Sequence, residues 1–433
     1  MFVLLVVTAG FFLLFANRGL TVHDEGYILD AAWRFAQGQV PYRDFWIIYP
    51  PGIVYVLGSL FKVFGPNILL GRFLMVLVGL IISYLLFKIT RQLMPSLLFL
   101  SWGIPHLNFP WPTWFVLLFM LASLATTNSP RLSGLFAGIS LLFKQTLGVA
   151  VVLAALLSTK SRFKLIQGLI LPILATLFFL ASQGAVGEFI HITLIRTLEY
   201  QTQGLMRTPL PAFSANLPKI FFYYFPFVLL CFYAFKLLRR QLNRHQIIVF
   251  TYVSLFFLAG YRPTTDILHV SLIYPALFPL IAMLKRQWAF LLFIPIFSLG
   301  LAKLYLKPYA GFEAPYPQQI YRAGSLLVDD RALNIFRVSR YINQRTQTGE
   351  PIFVYYYAPM IYFLSGHSNA TRFPMAQAGV LNQAETQELI QDLTQVNLVI
   401  LQPRADTAVY DRLMTDFIFD RQFGDYQVRI RKP

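Results

Sequence analysis

The chain has 433 residues, of which 57% are hydrophobic and only 13% are charged. A soluble domain would carry about 25% charged residues, so the composition excludes an ordinary soluble globular protein. The net charge of +17 does not indicate nucleic-acid binding, because most lysines and arginines stand in short clusters between apolar runs, as membrane topology signals do. The single cysteine, Cys231, excludes a disulfide within the chain and any cysteine-based metal site.

Apolar segments follow one another through the first 305 residues. A helix needs about 20 apolar residues to span a bilayer, and somewhat fewer where the membrane thins. The sequence therefore predicts a polytopic α-helical membrane protein with about eleven transmembrane helices. The predicted spans are 2–16, 68–87, 97–109, 112–127, 133–143, 147–158, 165–183, 218–237, 247–260, 270–284 and 287–305.

Four basic clusters predict the orientation of these spans. Cytoplasmic loops carry an excess of lysine and arginine, and alternation over eleven spans places all four clusters on one side. The first loop (17–67), the 184–217 loop, the 261–269 turn and the C-terminal region then face outward. The clusters are Lys88 and Arg91; Lys160, Arg162 and Lys164; Lys236, Arg239, Arg240 and Arg244; and Lys285 and Arg286.

From about residue 306 the sequence has ordinary polarity, which divides the chain into a transmembrane domain (1–305) and a C-terminal domain (306–433). Strand patterns alternate with helix patterns in this second part, so a small extracytoplasmic α/β domain is expected. The predicted helices are 329–346, 358–364, 384–395 and 405–417, and the predicted strands begin at Pro351, Asn397 and Tyr426.

The first loop carries the most informative motif, which begins with the adjacent carboxylates Asp24 and Glu25. The spacing after them predicts a helix over 26–37, with Tyr27, Ala31 and Phe35 on one apolar face that lies toward lipid or protein. Two readings of the acidic pair stay open from the residues alone. The carboxylates cap this helix, or one of them removes a proton from an acceptor hydroxyl as a general base.

The run Asp24-Glu25-Gly26-Tyr27, a short helix, Gly38-x-x-Pro41-Tyr42-Arg43-Asp44 and then Tyr49-Pro50-Pro51-Gly52 resembles the first periplasmic loop of the glycosyltransferase C (GT-C) superfamily. It is most similar to the bacterial branch related to protein O-mannosyltransferases and to the aminoarabinose transferase of lipid A. The resemblance implies that the acidic pair holds the catalytic carboxylate, with Asp24 the first choice and Glu25 the second. Arg43, Asp44 and Tyr49 are then candidates for positioning substrate.

Further candidates lie in turns that are predicted to face outward. Lys144 either extends its ammonium group to the membrane surface or neutralises the donor phosphate, and related transferases resemble this chain in carrying a Lys-Gln pair here. Arg262 offers a planar fork suited to phosphate, whereas Asp266 and His269 would position donor or acceptor. An ordinary polar turn is the alternative. Weaker candidates are His106 and Asn108, the possible lid residues Tyr200, Gln203 and Arg207, and Arg372 with the turn 359–366.

These features predict a lipid-dependent glycosyltransferase in the cytoplasmic (inner) membrane, with its active site outside. The expected reaction is an inverting transfer of a hexose or pentose from polyprenyl phosphate to a glycan, lipid or protein acceptor. The sequence has no nucleotide-binding fingerprint and no zinc-ligand spacing, so no cofactor is predicted. The loop-one acids could hold a divalent metal, as in some members of the superfamily, but the mannosyltransferase-like branch generally works without one. The alternatives are a polytopic transporter or lipid flippase, or a non-catalytic assembly subunit.

Overall fold

The structure, a computed structural model, describes residues 2–202, 217–261, 267–306, 316–320, 322–347, 349–377, 379–404 and 407–433. Each of the eleven predicted spans is helical over most of its length. Loop one contains the predicted helix and a second helix, α3, that was not predicted. The helices of this first part are α1 (Phe2–Ala16), α2 (Asp24–Ala36), α3 (Gly52–Phe64), α4 (Ile68–Thr90), α5 (Met94–Trp102), α6 (Pro112–Ala125), α7 (Pro130–Leu141) and α8 (Gln145–Ser158).

Two of the predicted spans are interrupted. The span 97–109 ends its α-helix at Trp102 and continues as a 3-10 turn (Ile104–His106), and a second 3-10 turn (Tyr274–Leu277) divides the span 270–284. A π-helical turn (His191–Arg196) joins α10 to α11. The helices of this second part are α9 (Arg162–Ser182), α10 (Val186–Ile190), α11 (Thr197–Thr202), α12 (Leu217–Leu238), α13 (Arg244–Tyr261), α14 (Ile267–Ile273), α15 (Phe278–Ala282) and α16 (Arg286–Leu306).

Many helices present large apolar side chains on the molecular surface. On α9, Phe163 is 73% exposed and Phe178 is 78% exposed. Water would strongly disfavour such a surface, whereas the hydrocarbon core of a bilayer accommodates it. Within the described ranges, α4, α9 and α12 are long and apolar enough to cross a membrane singly, and other apolar helices, including α1, α6 and α8, are shorter.

Three of the four basic clusters meet at one end of the helical bundle. The ring of His245, beside Arg244, lies 3.2 Å through Nε2 from the carbonyl oxygen of Ile89, which follows Lys88. Gln92 donates from Nε2 to the carbonyl oxygen of Ala282, three residues before Lys285, at 2.9 Å. This packing agrees with the predicted placement of these clusters on a common side of the membrane.

The C-terminal region has the predicted α/β character. Its four-stranded sheet has the order β3-β4-β6-β5, in which β3 and β4 are parallel and the other neighbours are antiparallel. The β1–β2 hairpin and strand β5 were not predicted. The elements are β1 (Tyr316–Ile320), β2 (Gly324–Val328), α17 (Asp330–Arg345), β3 (Phe353–Tyr355), α18 (Met360–Ser365), α19 (Gln383–Asp392), β4 (Leu398–Leu401), α20 (Ala408–Asp416), β5 (Phe417–Phe423) and β6 (Tyr426–Arg431).

The C-terminal region packs closely on the first loop. Helix α18 lies against α2, and a Cβ atom added at Gly26 would lie only 2.3 Å from the backbone nitrogen of Met360. Only glycine permits this approach, which gives the glycine of the Asp-Glu-Gly-Tyr motif a packing role. Strand β2 is also attached, because the Leu327 N–H donates to the carbonyl oxygen of Asn17 at 2.8 Å.

Ion pairs fasten the C-terminal region to the segment that carries α10 and α11. Arg196 donates to Glu385 at 2.7 Å, and Arg372 donates to Glu188 at 3.0 Å. The Arg372 carbonyl oxygen also accepts a hydrogen bond from the Trp46 N–H in loop one at 2.9 Å. Loop one, the 186–202 segment and the C-terminal region are therefore packed together at one place.

Candidate active site

Helix α2 places the two acidic residues in its first turn, where the helix dipole favours negative charge. The helix begins at Asp24, two residues before the predicted start. Its predicted apolar face packs on protein, since α3 and α18 cover it and Tyr27 and Ala31 are buried. The adjacent carboxylates then point into different surroundings.

Glu25 is fully buried in an ion pair with Arg72 of α4. Arg72 donates from Nε to Oε1 at 2.6 Å and from Nη2 to Oε2 at 2.7 Å, which is the bidentate geometry that favours strong pairing. The same guanidinium reaches the carbonyl oxygens of Arg18 and Gly19 just beyond α1, and the Thr21 N–H donates to Glu25. This arrangement suits a structural carboxylate that holds α1, α2 and α4 together.

Asp24 is only half-buried and meets the C-terminal region. The Tyr357 hydroxyl donates to its Oδ1 at 3.2 Å, across 333 positions in the chain. Burial first, and the nearby Asp24 carboxylate second, raise the pKa of Tyr357 well above its usual value, so the phenol stays protonated and donates. Next to it, the His23 ring stacks on the Tyr357 ring at a centroid distance of 5.3 Å.

A line of aromatic rings leads from Tyr357 toward His269. The ring of Tyr27 lies 6.3 Å from those of Tyr357 and Tyr49, Tyr49 lies 5.5 Å from Trp111, and Trp111 lies 6.4 Å from His269. The indole Nε1 of Trp111 is buried and has no hydrogen-bond partner among the described residues. The structure thus brings Asp24, Tyr49 and His269 into one connected group, and it adds Tyr357 and Trp111, which the sequence did not single out.

Lys144 lies close to this group. It precedes α8, is half-buried, and donates from Nζ to the Thr113 hydroxyl at 3.4 Å, two residues beyond Trp111. Its neighbour Gln145 donates from Nε2 to the carbonyl oxygen of Ile48 in loop one at 3.2 Å and to that of Thr193 at 2.9 Å. Gln145 therefore connects loop one to the π-helical turn.

Arg43 and Asp44 form a local ion pair, and neither contributes to the line of aromatic rings. Arg43 donates from Nε to Asp44 Oδ1 at 2.7 Å, and the Val40 N–H donates to Asp44 Oδ2 at 2.7 Å. The hydrogen bond from Arg43 is the main cause that lowers the pKa of Asp44, which keeps this carboxylate ionised. These contacts indicate that the pair shapes the turn of loop one.

Several candidates have other outcomes. Arg262 and Asp266 lie outside the described residues, as do Gln203 and Arg207 of the possible lid. His106 is buried with Nε2 2.6 Å from the carbonyl oxygen of Ser101, and Asn108 donates to the carbonyl oxygen of Phe15. Both side chains are buried and lie within hydrogen-bond distance of backbone carbonyl oxygens. In the described ranges, no three histidine, cysteine, aspartate or glutamate side chains lie close enough together to hold a metal ion.

Asp30, six residues after Asp24 in the chain, is buried, and its Oδ1 has no hydrogen-bond partner in the described part of the chain. Burial raises the pKa of Asp30 from its ordinary 3.8 to about 7, against the opposing charges of Arg34 and Arg322. Between these values the folded state keeps a proton that the unfolded state has lost, so this group makes stability fall as pH rises from about 4 to 7.

Asp30→Asn is therefore expected to gain stability relative to the wild type as the pH is raised from 5 to 8. The relative gain is on the order of a few kcal/mol. It levels off above pH 7, because Asp30 is then ionised in the folded wild type as well as in the unfolded chain. Thermal unfolding of both purified proteins at a series of pH values measures the difference. The same offset at every pH would show that Asp30 does not titrate in this range.

Comparison with known proteins identifies the fold. No protein-family model matches the sequence, and no curated protein matches it significantly. Among solved structures, ArnT from Cupriavidus metallidurans bound to undecaprenyl phosphate is similar to this chain with a TM-score of 0.60 and 13% identity, over 99% of this chain and 97% of that chain. The apo state of the same ArnT gives a TM-score of 0.55 over the same shares. The chain thus has the fold of ArnT, an aminoarabinose lipid A transferase and GT-C glycosyltransferase, which confirms the predicted fold resemblance.

Proposed function

We propose that this membrane protein, built on the ArnT fold, transfers a sugar from a polyprenyl-phosphate donor to an acceptor hydroxyl, with Asp24 as the general base. The proposal rests on the half-buried Asp24 carboxylate, which accepts a hydrogen bond from Tyr357 at one end of the line of aromatic rings, with Lys144 nearby. The similar ArnT structure that holds undecaprenyl phosphate supports the donor class.

The proposed reaction requires one site that accepts the proton of the acceptor hydroxyl and neutralises the negative charge on the leaving phosphate. Asp24 takes the proton of the acceptor hydroxyl while the oxygen forms a bond to the anomeric carbon. The bond from that carbon to the phosphate oxygen breaks, and the polyprenyl phosphate leaves with the electron pair. Attack opposite the leaving group inverts the anomeric centre. Lys144, together with Arg262, neutralises the charge that develops on the phosphate, whereas Asp266 and His269 position donor or acceptor.

The proposed location is the outer face of the cytoplasmic membrane. Glu25 lies in the first turn of α2 and its partner Arg72 lies near the start of α4, whereas Lys88 lies in the last turn of α4. At 1.5 Å per residue, Arg72 and Lys88 are roughly 24 Å apart along that helix. The basic end of the bundle and Asp24 therefore lie toward opposite ends of α4, and basic clusters on the cytoplasmic side support an outer location for Asp24.

Transfer of radiolabelled sugar tests the function directly. Purified protein in vesicles would be given a panel of polyprenyl-phosphate sugars, with membrane extract as the source of acceptor. Formation of a labelled product that depends on the protein supports the proposal. Donor flux across the vesicle membrane without any product would favour a transporter or flippase, and neither product, donor binding nor flux would favour a non-catalytic subunit.

Lys144→Gln is expected to lower the rate of transfer by about 100-fold, since a positioned cation contributes most where the leaving phosphate gains charge. Lys144→Arg should recover much of the rate, because it restores the charge. The measurement is single-turnover transfer from a saturating donor. Lys160→Gln, in a basic cluster, is the matched control and should match the wild type. A Lys144→Gln rate equal to that of the control would remove Lys144 from the proposed site.

A further inference from the structure

We infer that Tyr357 is a positioning residue for Asp24, so that the C-terminal region completes the active site. The inference rests on the proposed function and goes beyond it, because it assigns a role in the transfer step to a residue of the α/β region. Its basis is the hydrogen bond from the Tyr357 hydroxyl to Asp24 Oδ1 at 3.2 Å.

The surroundings of Tyr357 hold it firmly in place. It lies in the short connection between β3 and α18, two residues after the end of strand β3. On one side its ring stacks on His23, and its carbonyl oxygen contacts His23 Nδ1. Its ring also forms a T-shaped contact with that of Tyr27, at a centroid distance of 6.3 Å. A side chain held by two neighbouring rings can fix the group to which it donates.

Docking of α18 on α2 then sets the distance between Tyr357 and Asp24. Met360 begins α18 and lies against Gly26, two residues after Asp24 in α2. Because both helices are rigid over these few residues, their close approach brings the phenol to the carboxylate. The phenol oxygen carries a proton, since burial and the carboxylate raise its pKa. It therefore selects one orientation of the Asp24 carboxylate.

Orientation of the base matters for the chemical step more than for donor binding. A general base must lie within hydrogen-bond reach of the proton that it removes. Without the Tyr357 hydroxyl the Asp24 carboxylate loses a contact that fixes its orientation and spends less time in that geometry, which lowers kcat. The donor phosphate is held by other residues in the proposed site, so the KM for the lipid donor should stay nearly constant.

The test uses Tyr357→Phe, which keeps the ring and removes the hydroxyl. The expected result is a decrease in kcat of about 10-fold, with the KM for the polyprenyl-phosphate donor and the thermal unfolding midpoint close to wild type. Tyr356→Phe is the matched control at the neighbouring position and should leave kcat unchanged. The full-length protein is used in every assay.

A double-variant cycle separates positioning from a purely structural role. In an Asp24→Ala background the carboxylate is absent, so the added Tyr357→Phe change should not lower the residual transfer further. Equal losses in both backgrounds, or wild-type kcat in Tyr357→Phe, would overturn the inference and leave the proposed function intact. No transfer by the wild type from any donor would instead overturn the proposed function, and the inference with it.

Discussion

Asp24→Asn is expected to lower the rate of sugar transfer by roughly 10²–10⁴-fold, the range that a general base contributes. Asparagine has the shape of aspartate and still offers an oxygen to the Tyr357 hydroxyl, so the site should keep its geometry. It cannot take up the proton of the acceptor. The loss should therefore fall on the chemical step, whereas the affinity for the lipid donor should be unchanged.

Single-turnover transfer and donor binding by equilibrium filtration would measure the two effects of Asp24→Asn separately. Asp44→Asn is a suitable control in the same loop, because Asp44 is engaged by Arg43 and by the Val40 N–H. It should transfer within a few-fold of the wild type. Transfer by Asp24→Asn at the wild-type rate would eliminate Asp24 as the base.

Glu25→Gln is expected to lower stability by about 3–5 kcal/mol, because it leaves the buried guanidinium of Arg72 without its counter-charge. Arg72 also supports the carbonyl oxygens of Arg18 and Gly19, so loosening it affects the junction of α1, α2 and α4. The adjacent carboxylates should thus differ in kind. We expect substitution of Asp24 to lower the rate of transfer by a folded protein, and substitution of Glu25 to lower the amount of folded protein.

The thermal midpoint and the monodisperse yield of the purified protein would measure the effect of Glu25→Gln. The joint change Glu25→Gln with Arg72→Met should recover part of the loss, since no uncompensated buried charge remains. The exposed pair provides the control, because Arg43 is 47% exposed and Arg43→Gln should cost less than about 1 kcal/mol. Wild-type stability of Glu25→Gln would contradict the structural assignment of this carboxylate.

Local patterns in the sequence predicted much of the fold. Apolar runs of sufficient length indicate helices wherever they occur, so all eleven predicted spans are helical. The α2 periodicity and the alternation of elements in the C-terminal region are equally local signals. Helix α3 was missed because it lies in a segment that was read only as a loop motif. Strand β5 was missed because it follows α20 directly at Phe417, without a turn residue between them.

The site could be predicted only in part. The order Asp24-Glu25 indicates a functional pair, but it does not show which carboxylate is buried. Arg72, inside an apolar helix, was the available signal, because a buried arginine needs an acceptor. The approach of Tyr357 to Asp24 has no periodic signature, since it depends on the packing of α18 against Gly26. The aromatic line through Trp111 likewise joins distant segments of the chain.

The separation of Asp24 and Tyr357 by 333 positions has a consequence for the newly made protein. Ribosomes add about 5–20 residues each second, so tens of seconds pass between the synthesis of the two residues. During that time the nascent chain can insert its early helices, while Asp24 has no contact with the C-terminal region. The contact can form only after the region around Tyr357 has been synthesised. Assembly of the proposed site would in this way wait for synthesis of the C-terminal region.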